Sequence, residues 1–202
     1  MTLLGLDFDN TLVRYDRLFH QLALEKRLIE ESIPADKTAI RDYLRNQGQD
    51  EQFTRLQGEV YGLRILEAEP AIGMLKALDM LQKRGVQMVL VSHKTRTPYK
   101  GPAHNLHEAA WSWLEKNGFF SKSGLNWKEN QIFFEESKSN KINRIKNLNC
   151  THYIDDLEEI LDLLPSKIKR MQYNPGKHKE SGKKYLVLKS WKEIQTIRKF
   201  IG

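Results

Sequence analysis

The chain has 202 residues, 40% hydrophobic and 29% charged, with a formal net charge of +7, enough for one sizeable core and a small satellite domain. No apolar run approaches the ~20 residues of a membrane span, and the first residues lack the basic lead and long apolar core of a secretory leader. The single cysteine, Cys150, leaves no intramolecular disulfide, so the expectation is a cytoplasmic protein without a membrane partner.

Apolar runs of β type occur at Leu3–Phe8, Val86–Val91, Gln131–Phe134, His152–Ile154, Lys169–Tyr173 and Tyr185–Leu188. Helical periodicity fills the gaps between them. "MLKALDMLQKRG" repeats apolar residues every three to four positions and stops at Gly85, and "HNLHEAAWSWLEKNG" does the same and stops at Gly118. "KINRIKNLN", "LEEILDLLP" and "SWKEIQTIRKFI" are the remaining helices. Strands alternating with helices predict a parallel, doubly wound, Rossmann-like α/β sheet, in which ligands bind beyond the carboxyl ends of the strands.

One part departs from the alternation. Residues Arg14 to Glu69 are helical throughout ("LFHQLALEKRLIEES", "DKTAIRDYLRNQG", "DEQFTRLQGEVYGLRILE"), far too long for a strand-to-helix loop. The expected organisation is therefore a catalytic core of residues 1–13 and 70–202 with a small helical cap, residues 14–69, inserted after the first strand. An enlarged helical layer on the sheet is the alternative. From Ser166 onward there are eleven Lys/Arg against two Glu. This excess reads as a solvated lysine-rich surface, with nucleic-acid binding as the alternative, and "YNPGKHKESGKK" reads as a surface loop.

The ends of the apolar runs carry the chemistry. The first runs into "LDFDNTL", where Asp7 and Asp9 lie two residues apart; in extended backbone both point the same way while Phe8 points into the core. The second run ends in Ser92, the third is followed by Lys138 and Lys141, and the fourth ends in Asp155 and Asp156. Buried carboxylates in such number need a cation, and all-oxygen ligands select a hard one, most simply Mg²⁺ completed by a substrate phosphate. A lysine and a serine hydroxyl can hold the remaining phosphate oxygens.

"LDFDNTL" resembles the first signature of the haloacid dehalogenase-like hydrolase superfamily, D-x-D-x-T/V at the end of the first strand. A strand-end serine, a lysine at a helix start and an acidic pair ending a strand follow in the family's order, so the resemblance covers residues 1–13 and about 71–165. It implies that Asp7 is the nucleophile and a metal ligand. Asp9 would be the general acid/base, ligating metal through its main-chain carbonyl. Ser92 would bind the phosphoryl group, with Asn10 as a further phosphate contact. Asp156 would complete the metal site. Asp155, at the position where the family more often has glycine, is the supporting or alternative ligand. Lys141 opens "KINRI" and matches the helix-initiating lysine, with Lys138 as fallback. An aspartate at position 9 is the phosphatase pattern, because an alkoxide leaving group needs a proton. The implied function is Mg²⁺-dependent hydrolysis of a small phosphorylated metabolite through an aspartyl-phosphate; a nucleotide or nucleic-acid-end phosphatase, or a non-catalytic binding protein, is the alternative. In the loop "SHKTRTPYKGPAHNLHEA", His93 would line the site and Lys94 or Arg96 would contact an anionic substrate; a solvated connection is the competing reading.

Overall fold

The computed structural model describes residues 2–175 and 184–202. Most of the expected lysine-rich surface loop lies outside the described residues. Six parallel strands form the main sheet: β1 (Leu3–Leu6), β4 (Gln87–His93), β5 (Ile132–Glu135), β6 (His152–Asp155), β7 (Lys169–Tyr173) and β8 (Leu186–Leu188), in the order β5-β4-β1-β6-β7-β8. This is the expected α/β Rossmann-like architecture. The chain builds outward from β1 in one direction through β4 and β5, then returns to its other side with β6. The sheet's switch point therefore lies at the carboxyl end of β1, between β4 and β6.

Strand β1 is buried on both faces, as parallel central strands are. Gly5 at its middle is there for space: a Cβ would meet the Tyr153 ring at 2.5 Å and Cys150 Sγ at 3.2 Å. The Tyr153 ring fills that room and donates its hydroxyl to Val91 O at 2.5 Å, tying β6 to β4 across the back of β1. Strand β1 ends at Leu6, two residues short of the expected run, because Phe8 O turns to accept from both Leu12 N (2.9 Å) and Val13 N (3.2 Å). That turn carries residues Asp9 to Thr11, with Asn10 left-handed at φ 58°, a conformation asparagine tolerates better than most residues. Trp191, fully buried, donates Nε1 to Thr11 O at 3.0 Å and holds the turn from behind.

The chain divides into two compact units: residues 1–13, 70–94 and 118–202, and residues 14–69 with 95–117. The first contains the sheet together with α4 (Met74–Lys83), α6 (Lys138–Asn147), α7 (Glu158–Leu163) and α8 (Ile194–Ile201). The second contains α1 (Asp16–Glu25), α2 (Lys37–Asn46), α3 (Asp50–Tyr61) and α5 (Leu106–Lys116). Short strands β2 (Val13–Arg14) and β3 (Glu69–Pro70) pair where the chain leaves the sheet unit and returns to it.

The division differs from the expected one in residues 95–117, and contacts within the helical unit give the reason. Gly58, in the middle of α3, leaves room for the following loop: a Cβ there would meet Pro98 Cβ at 2.9 Å and Lys100 O at 3.0 Å. Trp113, fully buried on α5, donates Nε1 to Ala68 O at 2.8 Å, and Lys116 donates to Leu66 O at 2.5 Å. Phe19 stacks on Phe53 at 5.8 Å to close the same core. Helix α5 thus satisfies its apolar stripe against the insert's own segments.

Candidate active site

The residues after β1 meet those ending β4 and β6 and one lysine from α6. Asp7 lies one residue past the strand and donates its backbone N–H to Ile154 O at 3.0 Å, which continues the ladder with β6 and fixes the side chain at the switch point. Its carboxylate is 4% exposed and densely bonded. Oδ1 accepts from Ser92 Oγ at 2.8 Å and from Lys141 Nζ at 2.6 Å, and Oδ2 accepts from Thr11 Oγ1 at 3.3 Å.

Lys141 also reaches Asp155 Oδ2 at 2.7 Å, so one buried ammonium bridges two buried carboxylates. Burial alone would lower the Lys141 ammonium, but the Asp7 and Asp155 carboxylates outweigh it and hold the group raised, hence charged. Burial pushes the Asp155 carboxyl up, to about 7, against the pull of Lys141 and with the help of the Asp7 charge. Tyr153, whose ring centroid is 5.7 Å from Lys141 Nζ, is pushed up chiefly by burial and stays a neutral phenol.

Of the two candidate lysines, the structure brings Lys141 to Asp7 and leaves Lys138 exposed, paired with Glu159 at 2.6 Å. The expectation that Lys141 opens its helix is corrected: α6 begins at Lys138, capped by Ser137 Oγ accepting from Asn140 N at 3.1 Å. Lys141 therefore enters from the first turn rather than from the helix start, which places its long side chain back toward the sheet.

The acidic pair splits its duties. Asp155, with no exposed surface, has Oδ2 on Lys141 and Oδ1 accepting from Leu157 N at 2.9 Å. Asp156 is only half-buried, and the Asn10 amide stands 3.5 Å from its Oδ2. Asp7, Asp155 and Asp156 each offer one oxygen within 4.8 Å of the others. Ionised, the three carry −3 against the +1 of Lys141, and a divalent cation would neutralise the −2 that remains. The donor set, all oxygen, fits a hard cation.

Asp9 stands beside this cluster with a partner of its own. Lys94 Nζ donates to both carboxylate oxygens, at 3.0 and 2.9 Å. Expected as a substrate contact, Lys94 is instead turned inward onto Asp9. His93 is half-buried, and burial holds its imidazole below the usual histidine range. Arg96 is exposed and belongs to the helical unit. Sequence reasoning missed three contributors: the Thr11 hydroxyl, the Tyr153 ring and the Lys94–Asp9 pair. Thr11 was within reach, since it closes "DFDNT"; the other two depend on register between distant strands.

The solved structures to which the chain is similar include hydrolases of one superfamily. The chain is similar to a HAD-superfamily hydrolase from Ehrlichia chaffeensis at 17% identity, with all of each chain covered and a TM-score of 0.52. It is similar to a HAD family hydrolase from Deinococcus radiodurans, solved with phosphate and sodium, at 14% identity, covering 98% of this chain and 95% of that one, TM-score 0.58. The HAD hydrolase YfnB of Bacillus subtilis, solved with magnesium, matches at 14% identity over 97% of each chain, TM-score 0.58. No family model matches the sequence, and no curated protein matches it. At these identities the likeness establishes the fold. The chain has the α/β fold of the haloacid dehalogenase-superfamily hydrolases.

Proposed function

We propose that this protein is a Mg²⁺-dependent phosphomonoester hydrolase acting on a small phosphorylated metabolite through an aspartyl-phosphate, with the helical unit as its substrate-selecting insert. The observation that carries the reading is the convergence of Lys141 and Ser92 on one oxygen of Asp7, beside Asp155 and Asp156. A lysine and a hydroxyl aimed at a single carboxylate, next to acidic residues in excess, form a site for a phosphoryl group and a cation.

In this reading an oxygen of Asp7 attacks phosphorus and the ester P–O bond breaks. Asp9, in its protonated form, gives its proton to the leaving alkoxide. Asp9 then takes a proton from water as that water attacks the phosphoaspartate at phosphorus, which releases inorganic phosphate and restores the Asp7 carboxylate. Lys141 and Ser92 hold phosphoryl oxygens as negative charge builds on them. Asp7 and Asp156 would hold Mg²⁺, with Asp9 contributing its main-chain carbonyl and Asp155 fixed behind them. When bound, the ion supplies charge neutralisation for the phosphoryl oxygens. The solvent-side position of Asp156 and the two occupied oxygens of Asp155 favour Asp156 as the direct ligand.

The test is release of inorganic phosphate from a panel of small phosphomonoesters with Mg²⁺, with EDTA, and for Asp7→Asn. Metal-dependent release that disappears in the variant is the expected result. Silence across the whole panel would turn the assignment toward a binding protein on the same fold.

A further inference from the structure

We propose that Lys94 is a positioning residue for proton transfer: its ammonium fixes the Asp9 carboxyl in the orientation that meets the leaving oxygen of the ester. This rests on the phosphatase reading above, in which Asp9 carries the proton.

Lys94 directly follows β4, and its backbone N–H donates to Glu135 O at 2.8 Å, which anchors it at the sheet. Its side chain is 3% exposed, whereas that of Asp9 keeps 23% of its surface in solvent. The arrangement is one-sided, with the ammonium behind and the carboxylate facing outward. Nζ stands 5.4 Å from the Phe8 ring centroid and touches both oxygens of Asp9.

Stability does not call for this pair. A buried ion pair often contributes no more than apolar side chains of the same volume would, and a methionine at position 94 would pack on Phe8 without a charge to desolvate. What the pair does provide is restraint. One ammonium bonded to both oxygens defines the plane of the Asp9 carboxyl. General acid catalysis depends on that kind of placement, because the donor must lie within hydrogen-bond reach of the atom it serves. Lys94 lies 85 residues from Asp9 in sequence, so the restraint comes from the pairing of β1 with β4.

In the first step a displaced Asp9 harms only substrates that need a general acid, and kcat/KM reports that step; the second step, in which Asp9 takes a proton from water, is common to all substrates. An alkyl phosphate leaves as a strongly basic alkoxide, whereas p-nitrophenyl phosphate leaves as a stable anion. The experiment measures kcat and KM of the full chain with Mg²⁺ on panels of alkyl and activated aryl phosphomonoesters, for wild type, Lys94→Met and Lys94→Arg. Lys94→Met should lower kcat/KM on alkyl esters by about ten- to a hundredfold and change kcat/KM on aryl esters by less than about threefold. Lys94→Arg, which restores a cation, should recover part of the alkyl-ester rate.

An equal loss of kcat/KM on both panels, with kcat lowered too, overturns the proposal in favour of a structural role. A raised KM on both panels with kcat retained overturns it in favour of a substrate-phosphate contact. Thermal melts report folding, and if Lys94→Met does not fold, Lys94→Arg and Lys94→Gln carry the same comparison. Wild type inactive on every ester removes the phosphatase reading and the proposal together. Wild-type activity with an unselective loss removes the proposal alone.

Discussion

The ammonium of Lys141 lies 2.6 Å from Oδ1 of Asp7, and neither side chain is more than 6% exposed. A charged pair this deep is held by position, since α6 delivers the lysine from one face of the sheet to a carboxylate that β1 presents at its end. The same ammonium serves Asp155 at 2.7 Å, so removing it strands two carboxylates at once.

Lys141→Met should therefore destabilise the protein strongly in EDTA, by about 3–5 kcal/mol, the range for breaking a buried pair by deleting one partner. Urea unfolding of both proteins checks it. The double variant Lys141→Met/Asp155→Asn should recover part of the loss, because one stranded charge is gone; no recovery would mean that the lysine stabilises by packing alone.

Mg²⁺ should stabilise the folded chain in proportion to site occupancy, by about 2.7 kcal/mol at a hundred times its dissociation constant. Thermal melts in increasing MgCl₂ against EDTA read this without any substrate. Asp156→Asn should abolish the shift, while Glu159→Gln, on an exposed pair with Lys138, should leave it intact.

Gly5→Ala should cost about 1–3 kcal/mol through overpacking, since its new methyl would lie 2.5 Å from the Tyr153 ring. Combining it with Tyr153→Leu should remove much of that penalty. Equilibrium unfolding of the single and double variants measures the coupling.

His152 gives the sheet unit an acid sensitivity away from the site. It is 5% exposed, its Nε2 is without a partner among the described residues, and its ring meets Phe200 edge-on at 5.0 Å. Burial first, and Lys169 second, hold its imidazole below the usual range. The unfolded chain then binds the proton more readily than the folded one, so stability is lost as pH falls below about 6.5 toward the folded value. His152→Phe should flatten that part of the stability–pH curve, as urea midpoints at several pH values would show.

The sheet was legible because its strands are short apolar runs closed by chemistry-bearing residues. Lys169–Tyr173 was placed to the residue, and the other strand boundaries lie within two positions of the expected ones. The exceptions have physical causes. The turn at Phe8 O ends β1 early, and Ser137, an N-cap with no apolar periodicity around it, starts α6 three residues before Lys141. The stripe of "HNLHEAAWSWLEKNG" fixes which face of α5 is buried but not against which unit, and the cue that would have helped was Gly58, a glycine inside a helical pattern that needs a close neighbour to explain it. Asp7, Ser92 and the acidic pair could be named from strand ends alone. The bond from Lys94 to Asp9 could not, because alternation says which face a residue takes and nothing about which distant carboxylate awaits it.

The central place of β1 has a consequence for biosynthesis. Leu3–Leu6 leaves the ribosome long before its partners, residues 87–90 on one side and 152–154 on the other. Until residues 152–154 have been made, this apolar strand keeps at least one unsatisfied edge, and parallel pairings of this span close slowly. The nascent chain thus passes through a period in which a strand destined for burial stands exposed, an interval that suits a chaperone and invites aggregation when none is at hand.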